Sequence, residues 1–260
     1  MSSTVPKSGF HNGRHLFAAM LLAILLGNSA GPLWVGKFSG SGGIPQPWRV
    51  INYKNGKPTV YRQARIDGRP AIEARFDGSM AYLARPIVVD LAKTPVMCWY
   101  WWVEAPVSKG DLTTKSGDDY AARIYVMFDM PKSALDRATR LRLGMARRLS
   151  GQDLPDAALT YVWDNRHAVG TARKSAYTDR SQIIVAETGA SRAGQWVAER
   201  ANVAAHFRSA FAGKPGTPTR LAVAADGDNT RSRGRAAFAD IHFVPASGPC
   251  SPGSASGRPH

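Results

Sequence analysis

The chain has 260 residues, 44% hydrophobic and 20% charged, with 34 Lys and Arg against 19 Asp and Glu and a net charge of +15. This is the composition of a globular protein with enough apolar side chains for a sizeable core, and it excludes a disordered chain. Two cysteines and six histidines, with no zinc-type spacing among them, exclude a zinc-stapled fold.

Residues 1–30 read as a secretory signal peptide. Lys7, Arg14 and His15 precede the apolar run Leu16–Leu26, and Gly27-Asn28-Ser29-Ala30 supplies a small-residue cleavage site. The run is shorter than the ~20 residues of a membrane span, and no later segment is long and apolar enough to cross a bilayer. An uncleaved N-terminal anchor is the alternative. No cysteine follows the run to take a lipid, and the twin-arginine pattern is absent. A periplasmic or secreted bacterial protein is expected. Removal of residues 1–30 takes Lys7 and Arg14 and no acid, leaving 32 cations against 19 acids, or +13. Such a charge draws a protein to polyanions: acidic polysaccharide, lipopolysaccharide, phospholipid head groups or teichoic-type polymers. Nucleic acid is the less available partner outside the cell, and an arginine-rich genome would also produce a basic surface.

Residues 31–47, rich in Gly, Ser and Pro, read as a linker. Short strands follow: 48–53, 59–66, 71–76, 81–85 and 87–91, separated by Asn55-Gly56, Asp67-Gly68, Asp77-Gly78 and Pro86. Strands at this spacing, punctuated by hairpin turns, indicate an all-β sandwich or barrel. Residues 97–104 form the densest aromatic run, with Trp99, Trp101 and Val103 on one face and Cys98, Tyr100 and Trp102 on the other. It reads as a strand buried on both sides, or as an aromatic platform for a sugar. In the strand that ends at Phe128, Ala122, Ile124, Val126 and Phe128 form a core face. Arg123, Tyr125 and Met127 form a face with a cation and a phenol that a plain core would not choose; Arg123 there either binds an anion from outside or neutralises an acid within, with Glu187, Asp226 and Asp240 as candidates.

The segment 132–149 breaks the β pattern. Leu135, Ala138, Leu141, Met145 and Leu149 recur at three and four residues, the mark of an amphipathic helix, and arginines cover the remainder. It reads as a helix laid by its apolar stripe over one end of the sandwich; a membrane-surface helix has the same pattern. Strands are expected at 158–163, 182–187, 194–200, 220–225 and 237–244, a short helix at 202–211, and disorder over 246–260. The fold class is therefore mostly β: an antiparallel β-sandwich spanning 48–245 with a helical insertion.

Candidate chemistry is sparse. Asp226, Asp228 and Asp240 could supply oxygens to a structural calcium, or the Asp-Gly-Asp-Asn segment could be a self-bonded turn. Trp163, Asn165 and Trp196 lie at strand ends, where an indole stacks on a sugar and an amide bonds its hydroxyls; core packing is the alternative. Asp118 and Asp119 read as turn and pairing groups, and Asp164, His167, Glu187 and Glu199 are isolated acid–base candidates. Cys98 and Cys250 either form a disulfide in an oxidising compartment or remain free. No nucleophile elbow, zinc-protease motif, P-loop or dinucleotide fingerprint is present.

The segments Gly117-Asp-Asp-Tyr-Ala-Ala-Arg-Ile-Tyr-Val126, Leu159–Asn165, Ile184–Gly189, Gln195–Asn202 and Asp226-Gly-Asp-Asn-Thr230 with Phe238–Phe243 occur in this order. Together they resemble a family of exported bacterial proteins known as a domain of unknown function. The resemblance implies export and one domain over about 48–245, and brings no activity. The family's common form has Thr in place of Gly227 and Gly in place of Ala239. The last strand is also similar to that of jelly-roll carbohydrate-binding modules. The leading expectation is an exported β-sandwich that binds an acidic glycan or other envelope polyanion through Arg123 and Tyr125, with Trp163, Asn165 and Trp196 at the rim. A polysaccharide lyase or glycoside hydrolase on a jelly roll is the second expectation, and an envelope structural or protein-interaction module the third.

Overall fold

The computed structural model describes residues 1–2, 31–52, 56–150, 154–212 and 216–250. The signal-peptide run, Asn55 of the Asn-Gly turn and residues 251–260 lie outside the described residues.

The elements in chain order are β1 (Leu33–Gly36), β2 (Arg49–Asn52), β3 (Val60–Ile66), β4 (Arg69–Asp77), β5 (Ala81–Pro86), β6 (Val96–Val103), β7 (Ala122–Asp129), α1 (Arg137–Ser150), β8 (Ala157–Asp164), β9 (Ala172–Ser175), β10 (Thr178–Thr188), β11 (Val197–Asn202), α2 (Val203–Ala210), β12 (Thr217–Ala224) and β13 (Arg233–Val244). They form two sheets. A six-stranded sheet runs β11-β6-β13-β4-β3 with β1 added to β13, and a seven-stranded sheet runs β2-β5-β12-β7-β8-β10-β9. The two-layer architecture is the one the alternating strands predict. The pairing is not purely antiparallel, because β10 runs parallel to β8. The long connection through β9 carries the chain back to that shared direction.

Alternation decides which side chains enter the space between the sheets. Ala122, Ile124, Val126 and Phe128 of β7 meet Trp99 and Trp101 of β6 and Tyr161 and Trp163 of β8 in one core. The rings contact as tilted and edge-on pairs, with Trp99 and Trp101 at 5.4 Å, Trp101 and Trp163 at 5.8 Å and Phe128 and Phe207 at 4.3 Å between centroids. Such arrangements add to the burial of large apolar area. The aromatic run of β6 is therefore core on one face. Its other face carries Tyr100 and Trp102, half-buried on a floor of Ala71, Ala237 and Ala239.

Three local expectations are corrected, and the strand expected at 237–244 is longer than expected and bulged. Residues 33–36 of the presumed linker pair with Ile241–Phe243 as β1, so the sheet begins before residue 48. Residues 87–91 form no strand: β5 ends at Pro86, and after one further bond, from Ile87 N to Thr219 O at 3.0 Å, the chain leaves the sheet. A bulge at Asp240 (φ 52°) splits β13, so that its first half pairs with β4 and its last with β1. The apolar stripe of α1 does not pack inward: Leu141 and Met145 are 65% and 51% exposed, while Thr139 is buried and Leu143 and Ala146 half-buried. Cys98 and Cys250 are joined by a disulfide that ties the segment after β13 to β6.

Candidate functional site

The seven-stranded sheet presents its outer face as a groove. Its floor is largely alanine, with Ala84 on β5, Ala222 and Ala224 on β12 and Ala158 on β8, and the larger Met127, Ile51 and Met80 pack beside them. Tyr125 on β7 faces Ala222 on one side and Thr160 on the other. Tyr82 packs edge-on against Tyr125 at 5.0 Å. Alanine next to tyrosine leaves room that larger β-formers would fill, and two adjoining hollows of about 660 and 630 Å³ share Tyr82, Tyr125, Leu154 and Ser181. Thr160 and Ser181 hydroxyls lie 3.3 Å apart on the groove wall.

The two ends of the groove differ in charge. At one end stand Asp118, Asp226, Asp228, Asn229 and Tyr177, with Lys57 and Arg123 among them, three acids to two cations. At the other stand Arg49, Arg85 and Arg220. At the acidic end Arg123 donates from Nε to Asp226 Oδ1 at 2.8 Å and from a terminal nitrogen to Asp226 Oδ2, and it reaches Asp118 Oδ2 at 3.2 Å and the Asp118 carbonyl. Asp226 is fully buried and Arg123 nearly so. Burying a carboxylate is costly unless it is paired and hydrogen-bonded, which the fork of Arg123 achieves. Arg123 is thus committed to the protein's own acids: of its two expected roles, the structure shows the neutralisation of an acid within and not the binding of a ligand anion.

The turn around Asp119 follows the same logic. Its carboxylate accepts from Asn229 N at 3.3 Å, Asn229 Nδ2 at 3.1 Å and Thr230 N at 2.6 Å, closing the loop between β12 and β13. That loop needs Gly227, where a Cβ would stand 2.3 Å from the Ser232 carbonyl oxygen. Asp119, Asp226 and Asp228 bring ligand atoms within 4.8 Å of one another. Partial burial, and then the neighbouring Asp119, raise the pKa of Asp228. Calcium seeks six to eight oxygens. Here the oxygens of Asp226 serve Arg123 and those of Asp119 serve the loop, so the guanidinium holds the place a cation would take and the set does not fit calcium. Asp240, expected as a third ligand, is elsewhere: it pairs with Arg69 on the outer face of the six-stranded sheet.

The other expected site residues do not converge on the groove, apart from Tyr125. Trp163 is in the core, its Nε1 donating to the Gly189 carbonyl at 3.0 Å. Asn165 donates from Nδ2 to Ser108 O at 2.7 Å. Trp196 lies against the six-stranded sheet, donating to Ile66 O at 2.8 Å, with the Arg69 guanidinium 5.5 Å from its ring. Asp164 is buried, with Oδ2 accepting from Arg166 N and from His167 N and ring Nδ1, a local turn rather than a catalytic pair. The residues sequence reasoning missed are Tyr82 and Tyr177. The signal for Tyr82 was there: strands whose second face alternates alanine with a single tyrosine are apolar enough to be sheet and too small to be core.

A second cleft of about 490 Å³ opens between the sheets, bounded by Glu199 and Ala201 of β11, Gly170, Ala172 and Ile184 near β9 and β10, and His206 of α2. His206 Nδ1 and the Tyr161 hydroxyl are 3.0 Å apart. Burial lowers the His206 pKa. Burial, and then Glu187, push the Glu199 carboxyl up to about 7. Glu199 Oε1 and Trp99 Nε1 are buried without a hydrogen bond of normal geometry.

The fold is a two-sheet β-sandwich with a groove on the outer face of the seven-stranded sheet, lined by the half-buried Tyr82 and the buried Tyr125. The chain belongs to the family described as "Protein of unknown function (DUF3047)", whose model matches residues 46–242. No curated protein matches it. Among solved structures it is similar to the family 11 carbohydrate-binding module of the cellulosomal cellulase Lic26A-Cel5E of Clostridium thermocellum, with 9% identity over 83% of this chain and 95% of that one and a TM-score of 0.41. The family 30 module of the cellulase Cel9D-Cel44B of the same organism has 10% identity over 84% and 95%, with a TM-score of 0.37. An exo-beta-agarase has 12% identity over 83% of this chain and 25% of its own, with a TM-score of 0.32.

Proposed function

We propose that this protein binds an extended glycan in the groove of the seven-stranded sheet. The observation that carries the reading is the groove itself, with tyrosines over an alanine floor, hydroxyls along one wall and charge of opposite sign at its ends. A sugar ring sets its C–H face on a tyrosine, and its hydroxyls pair with carboxylate, amide and hydroxyl groups. Here those groups are Asp228, Asn229, Thr160 and Ser181. At the far end Arg49, Arg85 and Arg220 would take a carboxylate or sulfate, which makes an acidic polysaccharide the preferred class. The chain is exported in this reading, by the segment 1–30, and the Cys98–Cys250 bond suits an oxidising compartment.

Binding of neutral and uronate-containing oligosaccharides, measured by calorimetry, tests it. Tyr82→Ala should weaken both classes by about tenfold, the loss of one aromatic contact. Arg49→Ala should weaken only the acidic class. Unchanged affinity in Tyr82→Ala would remove the groove from consideration. A catalytic reading has one group in its favour, Glu199, whose raised pKa suits a general acid. It predicts product release from a glycan panel that Glu199→Gln abolishes; the absence of turnover favours binding.

A further inference from the structure

The amphipathic helix α1 is not used by the groove, and its unpacked face calls for a different partner. Its fourteen residues carry five arginines and no acid. The side turned to the body is Thr139, Leu143, Ala146 and Arg147. Arg147 fastens the end of the helix, donating from Nε to Leu154 O at 2.7 Å and from a terminal nitrogen to Asp156 Oδ1 at 2.8 Å. At the start Asp136 caps it, accepting from Thr139 N at 2.8 Å. The side turned away holds Leu141 and Met145, one turn apart and both more than half exposed. Arg137 and Arg148 flank this pair on one side and Arg142 on the other, by the helical spacing of their positions.

We infer that α1 seats on an anionic phospholipid surface, with Leu141 and Met145 entering the acyl boundary and Arg137, Arg140, Arg142 and Arg148 meeting the phosphates. An exposed apolar stripe between basic flanks, on a helix held at both ends, is the arrangement of an interfacial helix. Charge selects the partner. A second copy would bring its own arginines against the first, and a neutral bilayer would leave them unmatched, whereas an anionic leaflet offers a partner to the four that Asp156 does not hold. Since Leu154 lies in the groove wall just after the fastened end of α1, such seating would hold the glycan groove close to the membrane surface.

The test uses the full chain with a single added cysteine, because both native cysteines are bonded. The apolar run 16–26 would itself enter lipid, so the readout is local: Met145→Cys carrying an environment-sensitive fluorophore, with Val88→Cys, 89% exposed, as the control position. Vesicles of phosphatidylcholine with about 30 mol% phosphatidylglycerol should blue-shift the label at 145 and leave that at 88 unchanged, and pure phosphatidylcholine should shift neither. With each arginine worth about fivefold near an anionic surface, Arg137→Glu, Arg140→Glu and Arg148→Glu together should weaken the shift by at least about a hundredfold in lipid concentration. These positions are exposed, and an unchanged melting curve will show that the fold is intact. Equal shifts at both positions, no shift at 145, or a shift that depends on protein concentration without lipid would each overturn the inference, the last in favour of self-association.

Discussion

Glu199→Gln is the substitution whose effect follows most directly from the structure. Glu199 sits in the cleft between the sheets, where burial first and Glu187 second raise its pKa from 4.5 to about 7. A carboxyl with a raised folded pKa takes up a proton on folding between those values. Its contribution to stability is present below the unfolded pKa and is lost as the pH rises from about 4.5 through about 7. At about 1.4 kcal/mol per unit, the gap sets an upper limit of about 3 kcal/mol by which ionised Glu199 opposes folding at pH 8. The side chain keeps some solvent contact, which screens the charge and reduces the figure to about 1–2 kcal/mol. Gln has the same shape and no charge to desolvate. The variant should therefore match the wild type near pH 4 and exceed it by about 1–2 kcal/mol at pH 8, a rise of about 2–8 °C in melting temperature for a chain of this size. Thermal and urea unfolding from pH 4 to pH 8, read by tryptophan fluorescence, will report the difference. A Glu199→Gln stability gap that stays flat with pH, or that widens toward acid, would refute the reasoning.

Arg123→Ala leaves Asp226 buried and unpaired and should cost about 3–5 kcal/mol by chemical denaturation; pairing Arg123→Met with Asp226→Asn should recover most of the loss, which a purely steric role for Arg123 would not allow. Replacing Cys98 and Cys250 by Ser removes a cross-link spanning 152 residues and should lower stability by about 2–5 kcal/mol, checked by melting under non-reducing conditions. Millimolar calcium should leave the melting temperature unchanged, since Arg123 already neutralises Asp226; a rise that EDTA reverses would show that the acids bind an ion despite the guanidinium.

By itself the sequence determined the strands and much of their facing. Alternation over 122–128, 158–163 and 220–225 is a local property of a chain that must bury one side, so the two-sheet architecture could be read before any contact was known. The polar face of Arg123 and Tyr125 could also be read, and it is the face that lines the groove. What that face does was decided only by tertiary structure. Arg123 lies 103 residues before Asp226, and nothing local says that they pair. Asp240 stood beside Asp226 in the reading of candidate ligands, yet the bulge in β13 carries it to the far sheet and Arg69. The periodicity of α1 named an apolar stripe correctly but could not say which side meets the body, because a stripe looks the same whether it packs on protein or faces away from it. Local pattern fixes which side chains share a face; only the packing of distant segments decides which face is covered, which charge is already paired, and which remains for a partner.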